Sequence, residues 1–225
     1  MAKKIIIINF KCYKEATGKN AEKLIKDFEV IAKKFPEIKI AVAVQPADIY
    51  RISKLTKKIE VYAQHMDSIS PGPFTGHISA LSIKESGATG VILNHSEKNI
   101  PINEIEEATK KAKELGLKIV ICAKNDKVGS KLSKISPDYI AVEPPELIGG
   151  KISVSKANPS LVKKSVEKII GKTKNLGLIV GAGVHNQEDV KIAVKLGADG
   201  ILIASGIVLA KNPTNVLEDL CKGFK

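Results

Sequence analysis

The chain has 225 residues, a formal net charge of +12, 44% hydrophobic and 27% charged residues. These values fit one large globular domain or two small ones and exclude a disordered chain. Basic residues are almost all Lys, with Arg51 the one Arg, and aromatics make up 4% with no Trp. Readers of nucleic-acid bases need Arg forks and aromatic platforms, so this charge reads as a solvated surface that attracts small anions.

The core has to be aliphatic, because 31 Ile supply β-branched side chains suited to buried strands. No apolar stretch approaches the ~20 residues that span a bilayer, which argues against a membrane partner. Residues 5–8, after Lys3 and Lys4, superficially resemble a secretion signal, but the apolar run stops at Lys11, short of the ~7–15 residues required. Cys12, Cys122 and Cys221 are odd in number and widely spaced, with no matching His cluster. That pattern argues against a disulfide framework or a zinc site and for a reducing compartment, the cytoplasm.

The first β-branched run, residues 5–9, precedes a helical pattern over 21–34, where Leu24, Ile25, Phe28 and Ile31 recur at three- and four-residue spacing. Runs at 38–44, 59–64 and 90–93 follow. A helix over 101–114 then opens with Pro101 and carries Glu104, Glu106 and Glu107 early, as the N-terminal dipole favours. Runs at 117–123 and 138–142 lead to a helix over 158–170. A run at 178–180 leads to a helix over 186–196, and both helices start at a capping-type Asn. The last run is 200–203. Ser86-Gly87, Leu115-Gly116, Leu176-Gly177 and Leu196-Gly197 mark helix ends, where Gly suits the left-handed position after the last turn.

Continuous apolar runs mean strands buried on both faces, as in a parallel sheet covered by helices. Eight strand–helix units in 225 residues favour an α/β closed barrel, (β/α)8, over an open doubly wound sheet. No GxGxxG follows the first strand to support a dinucleotide site. The expectation is one barrel domain over residues 1–225.

Such barrels carry their sites where the strands end. The residues there are Asn9 and Lys11, then Gln64 and His65, then Asn94, His95, Ser96 and Glu97. Lys124, Glu143, Gly181-Ala182-Gly183 and Ala204-Ser205-Gly206 complete the series. One Lys, one His and one Glu at converging ends make an acid–base set with an anion anchor. The two small-residue loops bring backbone N–H groups within reach of a phosphate. Taken singly, Glu143 also fits a strand-end carboxylate paired with a Lys, His95 a packed-wall His, and Lys11 a surface Lys. Cys122 reads as a packing residue rather than a nucleophile. The segment 144–157 is long for a compact barrel, with Pro144-Pro145 and Gly149-Gly150 flanking apolar Leu147-Ile148, features of a closing lid.

Asn9-Phe10-Lys11, Gly72-Pro73-Phe74-Thr75-Gly76, Asn94-His95-Ser96-Glu97, the run from Val142-Glu143-Pro144-Pro145 to Gly150, and Gly181-Ala182-Gly183-Val184 occur in this order along the chain. Together they resemble the triosephosphate isomerase family, and the short barrel, the Pro-Pro-Glu-Leu-Ile-Gly segment and Ala204-Ser205-Gly206 resemble its archaeal branch. The resemblance implies a TIM barrel that interconverts dihydroxyacetone phosphate and D-glyceraldehyde 3-phosphate through an enediolate, in glycolysis and gluconeogenesis, with no metal or organic cofactor. It implies Glu143 as general base, His95 as the neutral electrophile, and Lys11 beside the substrate oxygens. A short helix starting at Ser96-Glu97 would favour the neutral ring. Triosephosphate isomerases are well known for this tuning of an acid and a base, and these roles come with the resemblance. Substrate binding would fall to Asn9, Lys11, Ile148, Gly149, Gly183, Ala204 and Ser205. Glu97 would hold Lys11 or His95, or be a plain helix-start carboxylate. Gly183 stands where the commoner pattern has Ser, Ala204-Ser205 where it has Gly-Gly, and Ala123-Lys124 where it has Gly-Glu.

The loop over 65–76 carries Met66, Ile69 and Phe74, apolar side chains that a monomer would leave in water. The resemblance implies that it docks beside the active site of a second subunit, Thr75 approaching that subunit's Asn9 and Lys11. The chain would then be a homo-oligomer, a dimer or a dimer of dimers. Two rivals stand beside this reading: an aldolase-like barrel with Lys124 as Schiff-base Lys, and a non-catalytic sugar-phosphate sensor.

Overall fold

The computed structural model describes residues 4–144, 147, 153–170 and 175–225. The first half runs β1 (Ile5–Asn9), α1 (Lys19–Lys34), β2 (Lys39–Val44), α2 (Pro46–Ser53), β3 (Ile59–Ala63), α3 (Ala80–Glu85), β4 (Gly90–Leu93) and α4 (Ile102–Glu114). The second runs β5 (Lys118–Ala123), α5 (Asp126–Leu132), β6 (Tyr139–Val142), α6 (Val154–Ala157), α7 (Pro159–Ile169), β7 (Gly177–Gly181), α8 (Gln187–Lys195), β8 (Gly200–Ile203), α9 (Ser205–Val208) and α10 (Pro213–Lys222). The strands pair in sequence order, all parallel, and β8 closes on β1 from Ile5↔Gly200 to Ile8↔Ile203. This is the expected α/β architecture, a (β/α)8 TIM barrel.

Period-2 alternation divides each strand between two cores. Ile5 and Ile7 point inward with Ala41, Ala43, Tyr62, Ile92, Val120, Cys122, Ala141, Ile179 and Leu202, filling the barrel. Ile6 and Ile8 point outward and pack with Ile25, Phe28 and other helix residues. Burying each such Ile stabilises the fold by about 1.5–3 kcal/mol relative to leaving it in water. At the strand starts, a Cβ on Gly90 would collide with the Tyr62 ring and one on Gly177 with Tyr139, so glycine makes room for two aromatic rings.

The caps form as the sequence reading anticipates. Asn158 Oδ1 accepts from Leu161 N–H and Asn186 Oδ1 from Asp189 N–H, each at 3.1 Å. Gly87, Gly116 and Gly197 take the left-handed positions expected of them, with φ of 96°, 67° and 101°. Gly177 does not. Asn175 turns left-handed instead (φ 68°), and Gly177 opens β7 because its missing side chain accommodates Tyr139. Met66 is a second correction: it is fully buried in this chain's own core, while Phe74 is left 42% exposed. Among the described residues no helix is long and apolar enough to cross a membrane.

Candidate active site

The next inward position beyond each filled barrel layer carries a polar or small residue, and these meet at the mouth. Asn9 follows Ile7, Gln64 follows Tyr62, Asn94 follows Ile92, Glu143 follows Ala141 and Gly181 follows Ile179. One cleft brings together Asn9, Lys11, His95, Glu143, Gly183, Ala204 and Ser205. Of the other predicted site residues, Glu97 lines the adjoining cavity, and Ile148 and Gly149 lie outside the described residues.

Lys11 is placed by its main chain. Phe10 is fully buried, edge-on to Phe28 with ring centroids 6.4 Å apart, and its N–H donates to Ala43 O. The chain then turns sharply, and Lys11 adopts φ 46°, a left-handed conformation that non-glycine residues rarely hold. Two bonds keep it there: Lys11 N–H donates to Asn9 Oδ1 and Gln64 Nε2 donates to Lys11 O, both at 2.9 Å. The ammonium lies 2.6 Å from Glu97 Oε1. Glu97 Oε2 also lies 3.7 Å from His95 Nδ1, so both partners named for Glu97 are beside it.

His95 follows Asn94, itself at φ 58°, whose side chain donates to Cys122 O at 3.0 Å and accepts from Ile100 N–H at 3.2 Å. Those bonds close residues 95–100 into a loop. The short helix expected at Ser96-Glu97 is absent; a single turn closes from Lys98 N–H to His95 O at 2.8 Å. Pro101 disfavours helical backbone at the residue before it, so no helix propagates from that turn. Glu97 N–H donates to His95 Nδ1 at 3.2 Å. An accepting Nδ1 leaves the hydrogen of the neutral ring on Nε2, which points toward Glu143.

Glu143 continues the β5–β6 ladder through its N–H to Ala123 O at 2.9 Å. Its carboxylate is buried, with Oε2 lacking a hydrogen-bond partner among the described residues and lying 3.9 Å from His95 Nε2. That separation is too long for a hydrogen bond. Burial raises the Glu143 carboxyl above the usual carboxylate range, despite the opposing influence of His95, the Cys122 thiol and Lys11. The Cys122 thiol beneath it is pushed well up by burial and by Glu143, so it is an inert packing group. A desolvated, under-bonded carboxylate facing a ring N–H, with an ammonium alongside, can move a proton between adjacent carbons while charge develops on oxygen.

Beside this group, where β7 runs next to β6, Ala182 (φ 72°) and Gly183 (φ 65°) turn back-to-back in the left-handed region, and Ala204 and Ser205 open α9. Sequence reading noted Gln64 without giving it a task, and it overlooked Asp189. Gln64 shares the inward parity of Tyr62, which is a usable signal; Asp189 has none, because its partners lie on two other segments.

A triosephosphate isomerase family model matches residues 4–223. The chain is 45% identical over 216 residues to the triosephosphate isomerase of Methanobacterium bryantii, covering 96% of this chain and 95% of that protein. It is 43% identical over 222 residues to the Methanosarcina mazei enzyme of the same name, covering 99% of each. With Methanocaldococcus jannaschii the figures are 44% over 218 residues, 97% of this chain and 99% of that one. Matched from before β1 to beyond α10, this chain belongs to the triosephosphate isomerase family.

Proposed function

We propose that the chain catalyses the reversible isomerisation of dihydroxyacetone phosphate and D-glyceraldehyde 3-phosphate, serving glycolysis and gluconeogenesis. Glu143 takes a proton from the carbon beside the carbonyl, and the electron pair left behind forms an enediolate. His95 donates its Nε2 hydrogen bond to the oxygen on which charge grows, and the Lys11 ammonium offsets that charge. The hydroxyl hydrogen on the adjacent oxygen passes to the former carbonyl oxygen by way of the His95 ring between them, and Glu143 returns its proton to the former carbonyl carbon, leaving the new carbonyl on its neighbour. Asn9 fixes Lys11, Glu97 restrains its ammonium, and backbone N–H groups around Gly183, Ala204 and Ser205 receive the phosphate. Ile148 and Gly149 are assigned to the same substrate by the family motif alone.

The observation that carries this reading is Glu143 itself, buried and under-bonded, facing His95 across 3.9 Å. Proton transfer of this kind requires neither a metal nor an organic cofactor. A coupled assay on protein dialysed against EDTA tests it: turnover of glyceraldehyde 3-phosphate is expected, and activity that appears only on adding a divalent ion contradicts it. An aldolase-like Schiff base is disfavoured because Lys124 is exposed, whereas such a Lys needs desolvation. A non-catalytic sensor would give no turnover in the same assay.

The same proposal extends to assembly and location. A cavity of about 580 Å³ beside Lys11 is lined by Cys12, Tyr13, Gln45, Gln64 and His65. It suits the 65–76 loop of a second copy, with exposed Phe74 and Thr75 at that loop's tip, giving a homodimer or a dimer of dimers. Three free thiols support a cytoplasmic location. The chain is read as one barrel domain over 1–225, with neither nucleic acid nor membrane as partner.

A further inference from the structure

Asp189 is a buried carboxylate that proton transfer does not use. It lies in the first turn of α8 and is 2% exposed. Its Oδ1 accepts from Ser153 Oγ at 3.0 Å and from the Lys156 ammonium at 2.8 Å, while Oδ2 accepts from His185 N–H at 2.9 Å. The buried Ser155 hydroxyl donates to Asp189 O at 3.2 Å. Burial works to raise its carboxyl, but Lys156, His185 N–H and Ser153 outweigh that and hold it below the usual range, so it stays ionised.

One side chain therefore ties together two segments that the sequence separates, residues 153–157 and residues 182–185. A main-chain bond closes the same seam, from Val154 N–H to Ala182 O at 3.2 Å. The seam borders strained backbone. Ala182 and Gly183 are consecutive left-handed residues, and for Ala that conformation persists only where its surroundings impose it. Beyond them, a Cβ on Gly206 would lie 3.0 Å from Val184 O and 3.3 Å from His185 Nδ1, so the loop after β7 packs closely against the start of α9. These two pieces form one wall of the cleft that holds Glu143.

We propose that Asp189 is a positioning residue for the phosphate end of the site, holding residues 182–185 so that the backbone donors of this wall are arranged before substrate arrives. The proposal rests on the reading that the cleft holds a triose phosphate. Pairing with Lys156 matches the carboxylate's charge, so the tie does not repel the anion it serves.

Wild type, Asp189→Asn, Lys156→Met and Ser153→Ala would be compared in kcat and KM for glyceraldehyde 3-phosphate. Inhibition by inorganic phosphate, and turnover of D-glyceraldehyde, which lacks the phosphate, complete the set. Asp189→Asn is expected to raise KM and the phosphate inhibition constant at least ~10-fold while D-glyceraldehyde turnover stays within ~2-fold of wild type. Lys156→Met and Ser153→Ala should each shift phosphate inhibition ~3-fold or more in the same direction. Phosphate inhibition unchanged in Asp189→Asn, or equal losses on both substrates, would overturn the proposal. If Asp189→Asn fails to fold, the variant at partly exposed Lys156 and the conservative Ser153→Ala decide by the same criteria. A wild type inert toward glyceraldehyde 3-phosphate would instead sink the functional reading, while phosphate affinity by calorimetry would still report on Asp189.

Discussion

Burial raises the Glu143 carboxyl above its ordinary 4.5, so the folded chain holds a proton there more readily than the unfolded chain. Linkage then has a definite sign: stability from this group is greatest below about pH 4.5 and is lost as pH rises through the raised value. Glu143→Gln, which removes the charge, should therefore melt higher than wild type at pH 7, with the gap closing as pH falls toward 4. Thermal melts across that range check this, and a gap that widens at low pH would contradict it. Much of this site was legible one residue at a time, because Glu143, His95 and Lys11 stand at strand ends. Their restraints were not. Gln64 clamps Lys11 from 53 positions away along the chain, and Glu97 holds His95 through its backbone rather than its side chain. Asp189 acts through segments that only folding brings together.

Strand parity makes the site an extension of the barrel interior. In β6, Ala141 points into the barrel and the next inward position, Glu143, reaches the mouth. In β7 the matching step runs from Ile179 to Gly181, and a Cβ on Gly181 would fall 2.5 Å from Glu143 Oε1 and overlap its stem. Gly181→Ala should thus displace the carboxylate, lowering kcat by ~10²-fold and stability by about 1–3 kcal/mol. Steady-state kinetics with a thermal melt measure both; a variant with wild-type kcat would show that the base tolerates being moved. The strands and the helices α1, α4, α7 and α8 were readable because both depend on short-range periodicity and on local caps such as Asn158 and Asn186, whereas the remaining, mostly shorter helices were not. The missing helix after His95 marks the limit of that logic, since helix-favouring residues there are overruled by Asn94 closing the loop.

At the scale of the whole molecule, a net charge of +12 should steer an anionic substrate toward the cleft. Accordingly kcat/KM should fall between low and high salt with kcat nearly constant, which stopped-flow at several ionic strengths would show. The proposed assembly rests on the 65–76 loop. Shortening residues 68–73 to a tight turn should give a folded monomer with much reduced kcat, whereas a wild-type ~24 kDa monomer that is fully active at micromolar concentration would end the oligomer reading. Sedimentation with parallel assays distinguishes the two. Apolar composition alone overstated how much of that loop is exposed, because Met66 turns into the core, and only Phe74 remains as a large exposed apolar side chain there.

The account stands on one carboxylate moving a proton between two carbons. Its most direct test follows glyceraldehyde 3-phosphate by NMR in D2O with wild type and Glu143→Gln. Deuterium should enter at C1 of dihydroxyacetone phosphate with the wild type, and turnover and labelling should both fall ~10²–10⁴-fold in the variant with a smaller change in KM. A Glu143→Gln protein that keeps a tenth of the wild-type rate would place the base elsewhere and contradict the account.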